Sequence, residues 1–435
     1  MPSTVLPPLS PRARWAVPVV AAVVVAGAVA APRLAAADSS ELPGLTAQEL
    51  VAAVAEAERT PVSGTVVYTA RLGLPSLPIA EVSGADPTAL LGGSSTMRVW
   101  SDGAERSRVA LLGTVSEYSV VHDGPEAWTF SSTSGTATHY VLDAEGQARY
   151  EAMAADLADG TLDAPLPAGA PTALPEDLAA QLPDEVLAEL APSVDGSLPT
   201  PAAAARAALA AAELSATVEV TGQSTVADRA AYEVVVTPTS DGTLVDRVVL
   251  DVDGSTFVPL RVQVWSTQDE AAPALELTFT DVSFAAPSDA VLGFTPPADT
   301  QVEEVVVPSS MDRPATAGAP TPGVDVSGTG WDAVATISGV DVPGLLAADP
   351  AALVEQVSPL TIGSERAQDL VEQFRPTDEQ GRTAVDLDAA TLYETLTTEV
   401  EGGRLLTSTL LSVLVTDDGR VLVGAVPPQT LLDLA

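Results

Sequence analysis

An α+β fold with at least two units is predicted for this chain of 435 residues. Three observations predict it. Short segments with alternating apolar and polar residues recur between Asp-Gly and Ser-Gly turns, which is typical of an antiparallel meander. A block rich in Ala, Leu and Pro at about 144–213 interrupts them with helical patterns. A stretch of linker composition then separates a smaller C-terminal part, and the total length exceeds what one hydrophobic core supports.

The N-terminal residues 1–37 are predicted to be a signal peptide or an N-terminal membrane anchor. Arg12 and Arg14 precede an uncharged apolar run at 15–31, and Ala35-Ala36-Ala37 follows it. This order is typical of a secretory signal, whereas the run also approaches the length of a membrane span. In either case the residues from about 38 onward are secreted or lie on the extracytoplasmic face of the cell membrane. If the segment is not cleaved, residues 15–31 hold the chain in the cytoplasmic membrane.

The exported part begins with a helix and continues with strands. Thr46 and Glu49 form the pattern of a capping box, which predicts a helix start. Segments from residue 62 to 142 alternate as strands, the helical insert occupies about 144–213, and strands resume from about 214. Among these later strands, Val262 and Val264 share one face while Arg261 lies on the other, so one face of the sheet is predicted to be apolar and the other partly polar.

The C-terminal part is predicted to be a separate small α+β unit at 329–435. A linker is predicted at 304–328, because this region is rich in Pro, Gly, Ala, Ser and Thr. The unit combines helical stretches with a final hairpin across Asp418-Gly419.

The composition argues against several classes of function. Asp and Glu total 59 against 19 Lys and Arg, a net charge of -40, and such a field repels phosphate backbones, so no nucleic-acid partner is expected. The absence of cysteine excludes disulfides, thiolate metal sites and a lipid-modified cysteine. Only His122 and His139 are available as imidazole bases, and no nucleophile elbow, metal motif or dinucleotide loop is present. We therefore expect a protein that is not an enzyme, with no catalytic residues, no metal and no cofactor.

Several local phrases carry a resemblance to a known family. They lie at 62–65, 121–130, 251–262 and 279–297, with a further one at 405–426. In this order they resemble the LolA/RseB family of lipoprotein carriers and their relatives, including the N-terminal domain of MucB/RseB, over about 46–303. The last phrase resembles the second region of exported LolA-type proteins.

The resemblance implies a fold and a function. For residues 38–303 it implies a curved, incomplete antiparallel β-barrel with a helical lid, whose concave apolar face binds a lipid or the acyl chains of a lipoprotein. The implied function is that of an extracytoplasmic, non-enzymatic carrier or sensor. The alternative is an RseB-like regulatory or scaffold protein that binds a membrane anti-sigma factor or another envelope protein.

Large apolar residues on strands are the candidates for the lining of such a cavity. The other interpretation is that they fill an ordinary core between the sheet and its helices. The candidates are Tyr68, Trp100, Tyr118, Trp128, Phe130, Trp265 and Phe279.

The length of the turn in VHDGPEAWTF determines on which face of the sheet the candidates Trp128 and Phe130 lie. A two-residue Asp-Gly turn would place Trp128 opposite Ser119, whereas an odd loop would place Trp128 and Phe130 on the face of Tyr118. Because proline cannot take a positive φ, Pro125 favours a bulge or a wider loop.

Overall fold

The computed structural model describes residues 42–57, 59–74, 85–159, 209–210, 212–307, 323–339 and 389–435. The predicted signal or anchor at 1–37 lies outside these residues, as do most of the predicted insert at 144–213 and the middle of the predicted linker at 304–328. In the described part of the chain, no helix has both the length and the apolar character that a membrane crossing requires.

The described chain is mostly β-structure, and its largest feature is one sheet of twelve strands. Neighbouring strands are antiparallel except for one pair, and the order is β12-β6-β5-β4-β3-β2-β1-β11-β10-β9-β8-β7. The edge strands β12 and β7 do not pair with each other, so these strands form an open sheet and not a closed barrel. The strands are β1 Val62–Ala70, β2 Gly93–Ser101, β3 Arg106–Leu112, β4 Glu117–Asp123, β5 Glu126–Ser131, β6 Thr136–Leu142, β7 Ala216–Val226, β8 Arg229–Pro238, β9 Val245–Asp253, β10 Pro259–Ser266, β11 Leu275–Ser283 and β12 Gln301–Val307.

Strand β12 reaches the far edge of the sheet through a long crossover. It pairs in parallel with β6, with Glu304 opposite His139. Residues 284–300, which we name the crossing segment, carry the chain there from β11. Its Leu292 is fully buried, and the short helix around it contacts β2, β3 and β4. The end of β12 thus overlaps the beginning of the predicted linker at 304–328, and residues 308–322 are outside the described part.

The described helices are few. α1 Ala47–Glu56 begins at the predicted capping box: the Glu49 backbone N–H donates to Thr46 Oγ1 at 3.2 Å, and the Thr46 N–H donates to the Glu49 carboxylate at 2.8 Å. Leu50 of α1 packs on Tyr232 and Val234 of β8. The other α-helices are α2 Ala144–Asp159, α3 Asp289–Leu292, α4 Ala389–Leu396 and α5 Pro428–Leu434, with 3-10 turns at Pro87–Leu91 and Gly330–Asp332.

The C-terminal residues form a second sheet of six strands in the order β13-β14-β18-β17-β16-β15. Its core contains Leu414, Leu422 and Leu431, all with 1 % or less of their surface exposed. The predicted hairpin across Asp418-Gly419 is confirmed, because β17 and β18 pair on either side of it. The strands are β13 Gly323–Ser327, β14 Val334–Ser338, β15 Thr398–Val400, β16 Gly403–Thr407, β17 Ser412–Thr416 and β18 Val421–Gly424.

The two sheets are in direct contact. Leu410, in the loop between β16 and β17, packs with Val245 and Ala274 of the large sheet's strands and turns, and Trp331 packs against the same cluster. The Leu244 backbone N–H donates to the Ala425 carbonyl at 2.7 Å. This junction places part of the small sheet at one end of the large one.

Candidate functional site

The strand register gives the large sheet one apolar face and one polar face. Because side chains alternate along each strand and paired residues share a face, Tyr68 of β1 lies on the same face as its partner Leu277 of β11. The same face carries Met97, Val109 and Val120 of β2, β3 and β4. We name it the apolar face, and the opposite one the polar face.

Charged residues are segregated between these two faces at the paired positions of β1 to β11, whereas Glu303 of β12 pairs with Thr138 and so lies on the apolar face. Among the paired residues of β1 to β11, every Asp, Glu and Arg lies on the polar face. They are Arg98, Arg106, Arg108, Glu117, Asp123, Glu126, Glu219, Arg229, Glu233, Arg247, Asp251, Asp253, Arg261, Glu276 and Asp281. The paired positions of these eleven strands therefore place no charged side chain on the apolar face; Asp246, at the irregularity in β9, is not one of them.

Two elements cover the ends of the apolar face, and the 3-10 turn Pro87–Leu91 contacts β1 and β2 nearer its middle, where the Ser95 hydroxyl donates to the Ala89 carbonyl at 3.4 Å. α1 packs over β7, β8 and β9, and the small sheet packs over one end of β9, β10 and β11. Between them, Leu277, Val109 and Val120 remain 38 %, 38 % and 43 % exposed. Val66 and Leu111 of the same face are buried. We take the apolar stretch that crosses β11, β1, β2, β3 and β4 as the candidate site and name it the apolar floor.

The structure divides the seven predicted lining residues between the two faces. Tyr68, Tyr118 and Phe279 lie on the apolar face. The other four lie on the polar face, so the seven do not share one wall. These four are Trp100, Trp128, Phe130 and Trp265.

The hairpin between β4 and β5 explains the placement of Trp128. Asp123 pairs with Glu126, so the loop holds only Gly124 and Pro125, and the expected wider loop is wrong. Gly124 has a φ of 58°. In a two-residue turn of this kind only the first central residue needs a positive φ, so a proline fits at the second. Trp128 consequently pairs with Val121, on the face opposite Tyr118.

The polar-face aromatic residues pack against charged groups and the crossing segment. Trp100 lies near two guanidinium groups, with Arg98 at 5.2 Å and Arg108 at 5.9 Å from its ring centre. Trp265 has the Arg247 guanidinium 4.2 Å from its ring centre. The Trp128 and Phe130 rings lie 5.4 Å and 5.6 Å from that of Phe294 in the crossing segment. These contacts assign the four side chains to the packing of the polar face.

Two tyrosines, Tyr68 and Tyr118, bring hydroxyl groups to the apolar face. Burial raises the pKa of Tyr68, and burial is also the main reason that the pKa of Tyr118 is raised, so both hydroxyls stay neutral at physiological pH. A neutral hydroxyl can hydrogen-bond a ligand headgroup but adds no charge to the floor.

The exposed aliphatic residues of the floor were missed by sequence reasoning, which favoured large aromatic side chains. A signal existed: Leu277 follows Glu276, and Val109 follows Arg108, so each aliphatic residue alternates with a charged one. Such alternation marks the two faces of a strand.

Both histidines are in contact with neighbouring groups. His122 is exposed, and its Nδ1 lies 2.9 Å from the Glu105 backbone carbonyl oxygen. His139 stacks on Trp128 and contacts Glu126 at 2.9 Å. The described ranges bring together no group of three His, Asp or Glu side chains that could hold a metal ion.

No protein-family model matches the chain, and no curated protein matches it. Solved structures do match. One is the MucA/MucB complex of Pseudomonas aeruginosa, with 18 % identity over 89 % of this chain and 95 % of that one, and a TM-score of 0.36. Another is an uncharacterized conserved protein from Thermus thermophilus, with 13 % identity over 57 % of this chain and 91 % of that one, and a TM-score of 0.28.

A third match is a LolA superfamily protein from Nitrosomonas europaea, with 11 % identity over 58 % of this chain and 99 % of that one, and a TM-score of 0.20. MucB and a LolA superfamily protein are thus both among the matched structures, as the resemblance in the sequence predicted.

Proposed function

We propose that this protein is an extracytoplasmic, non-enzymatic carrier or sensor that binds the acyl chain of a lipid or lipoprotein on the floor of its apolar face. The observation that supports this most directly is the segregation of all paired charged residues of β1 to β11 onto the polar face. The proposed helical lid and the concave curvature of the sheet belong to this same proposal.

The chemistry of the floor favours a hydrocarbon ligand over a peptide. The central strands pair on both sides, so their backbone N–H and C=O groups are used within the sheet. A peptide lying flat on this floor would leave its own amide groups without partners, at a cost of about 1–3 kcal/mol each. A hydrocarbon chain has no such groups, and each buried methylene stabilises the complex by about 0.8 kcal/mol.

The dimensions also suit an extended acyl chain. Neighbouring strands lie about 4.8 Å apart, so the floor from β11 to β4 spans roughly 19 Å across five strands. Leu277 and Val120 stand near the two ends of this span and are among its more exposed aliphatic side chains.

Titration of the purified protein with a fluorescent long-chain fatty acid tests the proposal. We expect saturable binding that unlabelled fatty acid reverses, and native mass spectrometry is expected to detect co-purified lipid. A protein that takes up no probe after delipidation, and carries no lipid when isolated, would show the proposal to be wrong.

The regulatory alternative, binding of a membrane anti-sigma factor or another envelope protein, predicts a different result. A protein partner would be captured by the immobilised chain from detergent-solubilised envelope proteins and identified by mass spectrometry. Competition by fatty acid would then show whether such a partner uses the apolar floor.

A further inference from the structure

One loop of the small sheet packs against the end of the apolar face. This loop, residues 408–411, lies between β16 and β17 and is anchored through Thr409. The Thr409 backbone N–H donates to the Leu72 carbonyl at 2.9 Å, and its hydroxyl donates to the Arg71 carbonyl at 3.1 Å. The Ser266 hydroxyl donates to the Thr409 carbonyl at 2.6 Å. The loop is therefore bound both to the end of β1 and to the end of β10.

The next residue of the loop, Leu410, packs among apolar side chains of the large sheet. Only 8 % of its surface is exposed, and it is buried in a cluster with Ala274 against which Leu72 and Leu275 pack. Leu275 and Leu277 are two positions apart on β11, so they share the apolar face at a spacing of roughly 7 Å. The cluster around Leu410 thus begins about one residue pair from Leu277 of the apolar floor.

We propose that Leu410 is the end wall of the acyl-chain site and determines how long a bound acyl chain can be. This inference rests on the proposed function. The hydrogen bonds of Thr409 hold the loop without any contribution from the Leu410 side chain. The size of the residue at 410 can therefore change the space beyond Leu275 while the loop stays in place.

Two substitutions with opposite effects test the inference. Leu410→Ala removes volume at the wall, so longer acyl chains gain buried methylenes, and each one strengthens binding about fourfold. Leu410→Phe adds volume, so the preferred chain length becomes shorter. The affinities of both variants and of the wild-type protein are measured against a homologous series of saturated fatty acids.

Leu411→Ala is the matched control, because Leu411 lies in the same loop but is 38 % exposed. We expect it to leave the ranking of the series unchanged. If both Leu410 variants bind fatty acids with the wild-type ranking, Leu410 is not the wall, and the proposed function is unaffected. If the wild-type protein itself binds no member of the series, the proposed function is wrong and this inference with it.

Discussion

The indole ring of Trp128 and the imidazole ring of His139 are stacked, with their centres 4.0 Å apart and their planes 9° from parallel. The imidazole also contacts two carboxylates, Glu126 on β5 at 2.9 Å and Glu304 on β12 at 3.7 Å. One side chain therefore links the aromatic packing of the polar face to the parallel edge strand.

Replacement of His139 is expected to loosen this edge of the sheet. His139→Ala removes the stacked ring, and we expect the free energy of unfolding to fall by about 1 kcal/mol. The measurement is urea unfolding at neutral pH. His122→Ala is the control, since His122 is exposed, and it should change stability by less than about 0.5 kcal/mol. Equal losses in the two variants would mean that the stack does not stabilise the fold.

A carboxylate placed on the apolar floor should abolish much of the acyl binding. Val120 is 43 % exposed, so Val120→Asp leaves the fold intact while placing a charge against the hydrocarbon chain. We expect the affinity for a fluorescent fatty acid to weaken at least about tenfold. Thr96→Asp adds the same charge at an exposed position of the polar face and should leave the affinity unchanged. Equal affinities in the two variants would place the ligand elsewhere.

Asp253 is expected to make the fold sensitive to acid. Burial acts to raise the pKa of this carboxyl, but hydrogen bonds from Arg229 and Thr256 outweigh it and hold the pKa below its ordinary value. The folded state therefore binds the proton less readily than the unfolded chain does. The resulting stability is present above the ordinary aspartate pKa of about 3.9 and is lost as the pH falls through the lower folded value.

The test of this expectation is urea unfolding from pH 7 to pH 3. Asp253→Asn should cost about 2 kcal/mol at pH 7, because it leaves the Arg229 guanidinium without its charged partner. It should also flatten the decline of stability that we expect for the wild-type protein as the pH falls below the ordinary aspartate pKa of about 3.9. If the stability of Asp253→Asn falls at low pH as steeply as that of the wild-type protein, other carboxyl groups are responsible for the acid sensitivity.

The tight turn between β4 and β5 should require its glycine. Gly124 has a φ of 58°, and a Cβ there would lie 3.4 Å from the Tyr150 hydroxyl. Gly124→Ala is expected to lower the free energy of unfolding by about 1 kcal/mol through backbone strain. Gly92→Ala, which meets open space without a positive φ, should be neutral. Thermal unfolding of both variants measures the difference.

Local features of the fold were predictable from the sequence, because they depend on neighbouring residues. The capping box at Thr46 and the hairpin at Asp418-Gly419 are examples, each set by a few adjacent side chains. The face of the sheet on which Trp128 lies was not predictable, because a shift of one residue in register moves every side chain of the strand to the opposite face.

The site required contacts between distant parts of the chain. Leu275 packs against the cluster that contains Leu410, although more than a hundred residues separate the two in the sequence. No motif near either residue predicts this contact. Likewise, the sequence of β12 has no clear alternation of polar and apolar residues that would predict its neighbour in the sheet. Its parallel pairing with β6 depends on the path of the crossing segment.

The crossing segment also has a consequence for the order in which the fold assembles. The strands form two meanders, β1 to β6 and β7 to β11, which are joined in the sheet by the pairing of β1 with β11. A nascent chain that ends before Gln301 has an unprotected edge along β6, and such edges pair readily with other chains. Synthesis of β12 replaces this edge with one that carries two carboxylates, Glu303 and Glu304, and charged side chains on an edge strand disfavour pairing with other chains.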